Sequence, residues 1–133
     1  MLELKFPQGL AQTDIETVRA AVQDEAAKGG LSPQHGFVML FVVDELLCNV
    51  MEHAGAGRAQ LSLQASSAGF RVRMVDDGQP FDTAGQVKSA AHGDLSAADD
   101  RRLGLNLVGR LVDAIEYRRT DDGQNLVELA KNF

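Results

Sequence analysis

Tryptophan is absent from the 133 residues, tyrosine occurs once, and aromatics make up 5% of the chain. That scarcity argues against platforms that stack nucleic-acid bases. The formal net charge is −6, which argues against the basic stripe that binds phosphate backbones. Cys48 is the only cysteine, so no internal disulfide can form. Met1-Leu2-Glu3-Leu4-Lys5 shows no signal-peptide pattern, and the expected address is cytoplasmic. The longest uninterrupted apolar run, Phe37 to Val43, is too short to span a bilayer. What remains is an ordinary mix of 44% hydrophobic and 24% charged residues, enough for one domain over residues 1–133 with a sizeable core.

Leu2, Leu4 and Phe6 alternate with Glu3 and Lys5, the period of a half-buried strand. Thr13-Asp14-Ile15-Glu16 has capping-box spacing. It predicts a helix with Ile15, Val18, Ala21, Val22 and Ala26 on one face, stopped by Gly29-Gly30. Ser32-Pro33 reads as an N-cap with proline in the first turn of a second helix. That helix should reach about His53, before Gly55 and Gly57. Alternation through Leu61 and Leu63, then Phe70, Val72 and Met74, predicts a hairpin turning at Ser66-Ser67-Ala68-Gly69. Residues 83–101 lose their large apolar side chains, which predicts a long loop, with room for a short helix, of the kind that serves as a lid. Leu103 to Val112 has helical spacing, and residues 114–120 and 125–131 read as a final hairpin. This order of elements predicts a two-layer α/β sandwich: a mixed, largely antiparallel sheet with helices on one face.

The second helix carries Phe41-Val42-Val43-Asp44-Glu45-Leu46-Leu47-Cys48-Asn49. A helix apolar on nearly all sides is buried, and an unpaired carboxylate inside it is costly. Glu45, Asn49 and Glu52 fall on one stripe, which should therefore border a cavity, a ligand or water. An amide oxygen suits Mg²⁺, which takes oxygen ligands and is shared with substrate phosphates. A carboxylate one turn earlier can orient or deprotonate an attacking group. The spacing alone fits a solvated stripe equally well. Two glycine segments are similarly ambiguous in isolation. Asp76-Asp77-Gly78-Gln79-Pro80-Phe81 ends a strand, where a carboxylate and a close backbone approach suit a flat base, or simply a surface turn. Arg102-Leu103-Gly104-Leu105 precedes a helix, where free amides suit phosphate, or where a loop glycine suffices.

Taken in order, the three segments resemble the N, G1 and G2 boxes of the Bergerat ATP-binding fold of the GHKL superfamily. Glu45-x-x-x-Asn49 looks like the N box, Asp76-x-Gly78 like the G1 box, and Gly104-Leu105-x-Leu107-Val108 like the second half of the G2 box. Asp76 to Asp82 and the tail from Leu111 to Lys131 are similar to the anti-sigma-factor serine/threonine kinases of bacterial partner-switching systems, a resemblance covering residues 2 to 131. It implies a protein that binds ATP or ADP with Mg²⁺, holds a sigma factor or another target inactive, and phosphorylates a STAS-domain antagonist. It also implies a homodimer, with neither nucleic acid nor membrane as partner. By position, Asn49 would ligate Mg²⁺ and Glu45 would be the general base or its positioning group. Asp76 would read adenine, Gly78 would line the base pocket, and Gly104 and Leu105 would offer amides to phosphate. Residues 83–101 would be the ATP lid. Arg102 stands where the family's G2 box usually begins with glycine. Its side chain either narrows the phosphate turn or pairs with a phosphate. The alternative function is therefore a non-catalytic nucleotide-binding regulator that sequesters its partner by contact. A detached histidine-kinase ATP domain is a further alternative, although the chain holds no dimerisation helix pair.

His53, near the helix end, reads as a helix-terminal residue rather than a metal ligand, His35 and His92 lack a cluster at zinc spacing, and Cys48 reads as a small core residue. Asp44 points away from the Glu45 stripe and is expected to partner a helix N–H or a Lys or Arg side chain.

Overall fold

The computed structural model describes residues 1–55, 57–91 and 100–133. Five strands form the sheet: β1 Leu2–Phe6, β2 Ala59–Ser66, β3 Gly69–Asp76, β4 Ala114–Arg119 and β5 Asn125–Asn132. Their spatial order is β1-β2-β3-β5-β4. Every neighbouring pair is antiparallel, the limiting case of the sheet expected from the sequence. Strand alternation sorts the two faces. Leu61, Leu63, Val72, Met74, Val127 and Leu129 are buried together. The opposite face carries the cross-strand row Glu3, Ser62, Arg73, Glu128 and Glu116.

Among the described residues, four helices cover the apolar face: α1 Ile15–Gly29, α2 Pro33–Asn49, α3 Thr83–Ala91 and α4 Asp100–Leu111. In α1, Val18, Val22 and Ala26 repeat every four residues and are all buried. Gly30 ends the helix at φ +91°, a left-handed conformation that glycine adopts without a Cβ penalty. Its entry differs from the sequence expectation. A 3₁₀ turn over Gln12–Asp14 precedes α1, and the Ala11 N–H donates to Asp14 Oδ2 at 2.9 Å. The expected Thr13 cap is replaced because the tighter turn brings the Asp14 carboxylate back to the free amide.

In α2, the His35 N–H donates to Ser32 Oγ at 3.2 Å, as the Ser32-Pro33 signal requires. Met39, Val42, Val43, Leu46 and Leu47 are buried, each contributing roughly 1.5–3 kcal/mol of transfer free energy. A π-helical turn, Val50–Ala54, extends the helix and ends at Gly55 with φ 57°. By length and composition Pro33–His53 suits a membrane span, and 39% of its apolar window is buried within the fold.

The first half of residues 83–101, read from sequence as a loop with room for a short helix, is α3. Asp82 nucleates it: its Oδ1 accepts the Gly85 N–H at 2.8 Å. The buried face is built from Thr83, Ala84, Val87 and Ala90. These side chains are small, which hides the helical period from a hydropathy scan. Residues 92–99, including His92 and the middle of the expected lid, lie outside the described residues. Helix α4 starts at Asp100, ahead of the start inferred at Leu103. The Asn106 Nδ2 donates to the Ala90 carbonyl at 2.8 Å, fastening α4 to the end of α3.

Candidate functional site

The strand order places the end of β3 beside the start of β5, and α2 crosses above both. Asn49, Asp76, Thr83 and Asn125 are 2%, 4%, 4% and 2% exposed. All four line one cavity, with Leu46, Val50, Met74, Phe81 and Val127 completing its wall. Buried polar groups need partners, and those of the β3–β5 end are found within the chain. Asp76 Oδ1 accepts the Gly78 N–H at 2.9 Å and the Asn125 Nδ2 at 3.0 Å. Asn125 Nδ2 also reaches the Gln79 carbonyl at 2.7 Å. Asn125 Oδ1 accepts from the Tyr117 hydroxyl at 2.8 Å, Arg119 Nη1 at 3.2 Å and the Phe81 N–H at 3.3 Å. Arg119 Nη1 donates to the Gly78 carbonyl at 2.7 Å. The turn after β3 is thereby fixed from three strands.

The two adjacent aspartates separate cleanly. Strand alternation turns Asp76 inward. Asp77 is exposed, and its Oδ1 accepts the Arg58 N–H at 2.8 Å, a loop-closing role. Asp44 and Glu45 separate in the same way. Asp44 takes a forked contact from Arg19, with Nη2 to Oδ2 at 2.9 Å and Nε to Oδ1 at 3.2 Å. The hydrogen bond and charge of Asp44 raise the Arg19 guanidinium pKa.

Glu45 faces the other way, toward α4. A Cβ placed on Gly104 would lie 2.5 Å from Glu45 Oε1 and 2.7 Å from Oε2. Only glycine leaves space for that carboxylate. Gly104 was expected at a helix N-terminus with its amide free for phosphate. It lies instead inside α4, where a residue in the fifth position has its N–H in the intrahelical ladder. Leu105 follows it in the same helix and is partly buried against the core. Arg102 is in the first turn of α4; its side chain lies outside the described residues. First-turn amides belong to residues 100–103 rather than to Gly104.

Sequence reasoning set aside His53 and extended the polar stripe through Glu52. The structure places the His53 ring against Phe81, with centroids 4.5 Å apart and planes 6° from parallel. Glu52 points outward, half exposed. A π turn winds with i→i+5 bonding, so the residue stacked one turn beyond Asn49 comes later than helical spacing gives. The signal that would have flagged Asn125 and Thr83 was a polar residue at an inward strand position and an inward helix position. Among the described residues no group of three or more His, Cys, Asp or Glu is placed to hold a metal. A buried Asn49 amide with a carboxylate one turn away therefore fits a cation shared with ligand oxygens, and does not fit an all-protein cage.

The histidine kinase-like ATPase domain family matches residues 10–131, and the chain belongs to that family. The fold is similar to the SiaB–SiaC complex from Pseudomonas aeruginosa, with TM-score 0.68, 17% identity, 100% of this chain and 90% of that chain covered. It is also similar to the RsbU and RsbW domains of Rv1364c from Mycobacterium tuberculosis, with TM-score 0.61, 18% identity and 98% of this chain covered. The present chain spans 32% of the length of that second protein. No curated protein sequence matches.

Proposed function

We propose that this protein is an ATP- and Mg²⁺-dependent serine/threonine protein kinase of a cytoplasmic partner-switching system. It would act as an anti-sigma factor or an analogous regulator, with a STAS-domain antagonist as its phosphorylation target and a homodimer as its working form. The observation that carries this reading is one helix, α2, serving two sites at once. Asn49 faces the buried Asp76 cavity and Glu45, one turn earlier, meets Gly104 of α4. Family membership supplies the nucleotide as ligand class, and the similar structures are named for SiaB–SiaC and RsbW.

In this reading Asp76 accepts the adenine amino group, Gly78 lines the base pocket, and Asn49 gives an oxygen to Mg²⁺. The ion, when bound, neutralises charge on the phosphates. Gly104, Leu105 and Arg102 lie at the phosphate end, and the first turn of α4 opens to present its amides. Residues 83–101, with α3 as their described part, act as the lid of a single ATP-binding domain. Glu45 positions or accepts the proton of the antagonist hydroxyl. That oxygen bonds to the γ-phosphorus as the bond to the β-phosphate oxygen breaks and ADP departs. Catalysis of this kind is positioning and electrostatics.

The fold of α4 favours a second reading: a nucleotide-binding regulator without chemistry, because Glu45 is packed against a helix that runs through Gly104. Calorimetric titration with ADP and ATP, with and without Mg²⁺, tests the shared claim. Incubation with labelled ATP and the STAS partner then separates the two. Phosphate on the partner supports the kinase; tight ATP binding without transfer supports the regulator.

A further inference from the structure

The cavity at Asp76 measures about 10 Å³, room for about one water molecule. Sites that bury a small organic ligand run to roughly 300 Å³ or more. A base can therefore meet Asp76 only after one wall moves. Leu46, Asn49 and Val50 belong to α2 and its π turn, Met74 and Asp76 to β3, and Asn125 and Val127 to β5. Those walls are the sandwich itself, and moving them would open the core; the remaining two lining residues are Phe81 and Thr83, the latter the first residue of α3, whose N-terminus the Asp82 carboxylate ties down. Phe81 alone among the lining residues sits in the connection between β3 and α3. Its ring is half-buried and lies flat against His53, which projects from the π turn of α2.

We propose that Phe81 is the gate of the base pocket and that His53 is its latch. The inference rests on the nucleotide reading above and deepens it. The stacked pair closes the cavity, and offset aromatic stacking is worth on the order of 1 kcal/mol beyond burial. That is enough to hold a gate mostly shut and too little to lock it. The strap is tied down at Asn125, through the Gln79 carbonyl at 2.7 Å and the Phe81 N–H at 3.3 Å. Asn125 also holds Asp76. A base amino group that engages Asp76 competes with Asn125 for the same carboxylate, which loosens the strap from the inside. The segment is otherwise well anchored at both ends, by Arg119 on the Gly78 carbonyl and by the Asp82 cap on α3. The hinge therefore falls on Gln79, Pro80 and Phe81.

Stopped-flow binding of a ribose-labelled fluorescent ADP to the whole chain tests the gate. In the wild type the observed rate should level off with ligand concentration, because opening becomes limiting. Phe81→Ala should make the rate rise linearly and tighten binding about tenfold if the open form is one-tenth populated. His53→Ala should shift both in the same direction by less. Phe81→Leu and circular dichroism show that each variant is folded and that a smaller apolar side chain gives an intermediate rate. A linear wild-type rate overturns the gate. So does weaker binding by folded Phe81→Ala with an unchanged association rate, which would make Phe81 a simple contact. Binding by Phe81→Ala but not by the wild type supports the gate. Absence of binding in the wild type and in all variants overturns the nucleotide reading, and the gate falls with it.

Discussion

Asp76 and Glu45 are both carboxylates turned into the space between sheet and helices, yet they face different neighbours. Asp76 ends a central strand and is gripped by Asn125, the Gly78 amide and, through Asn125, by Tyr117 and Arg119. Glu45 projects from α2 and meets the bare Cα of Gly104. The Asp76 end is thus a hydrogen-bonded lattice tied into the sheet. In the proposed reading the Glu45 end is a close approach of two helices, one of which has to change for amides to become available.

The sharpest break of this contrast is Asn125→Ala. It strips partners from the Asp76 carboxylate, the Gln79 carbonyl and the Phe81 amide at once. Buried groups left unsatisfied cost about 1–3 kcal/mol, so stability should fall by about 3 kcal/mol, read from the urea midpoint. A loss below about 1 kcal/mol would mean that water replaces the amide and the lattice is soft. Asn49→Ala comes next. In the proposed reading it removes the Mg²⁺ ligand, so the Mg²⁺-dependent part of ATP affinity should drop about tenfold, or about 1.4 kcal/mol. ADP binding without metal should change little. Titration with and without EDTA separates the two.

Gly104→Ala tests the other end and should differ in sign. Alanine in a helix interior gains about 0.5–1 kcal/mol over glycine. The three atoms nearest the new Cβ all belong to the far end of the Glu45 side chain, which must shift to admit it. The thermal midpoint should hold or rise while ADP still binds, and phosphoryl transfer should fall because Glu45 has left its place. A large drop in the midpoint would show that Glu45 is fixed as firmly as Asp76.

The sheet and the two long helices were legible because their apolar residues recur with periods of two and of three to four. Glu45 and Asn49 stood out in sequence as a polar pair inside an apolar helix, but the spacing alone fitted a solvated stripe as well; the N-box role came only from the resemblance across three segments. Helix α3 was blurred because its inward face is threonine and alanine around a single valine, so burial left no hydropathy signal. The α4 start was misplaced because Gly104 reads as a helix boundary in sequence, whereas a glycine can also be demanded by a neighbouring side chain. Asn125 and His53 went unranked because their importance comes from partners distant in sequence, Asp76 and Phe81. The π turn that aims His53 has no sequence signature of its own.

The smallest effect belongs to the neighbour of Glu45. Asp44 shares the apolar segment, yet it points to Arg19 on α1, and 43% of the Arg19 side chain is exposed. Exposed ion pairs are worth about 0.2–1 kcal/mol. Arg19→Ala should therefore cost less than about 1 kcal/mol, and the difference should shrink in high salt. Asp44 raises the Arg19 pKa, so the guanidinium is fully charged below and through neutral pH, and its contribution is lost only in strong alkali. Salt is the useful variable on the arginine side of the pair. ADP affinity should be unchanged, since the Arg19–Asp44 contact lies on the opposite side of α2 from the Asn49 cavity. A tenfold change in that affinity would mean that α2 passes strain from its α1 face to the Asn49 face. The separation of roles between two adjacent acids would then be a matter of degree.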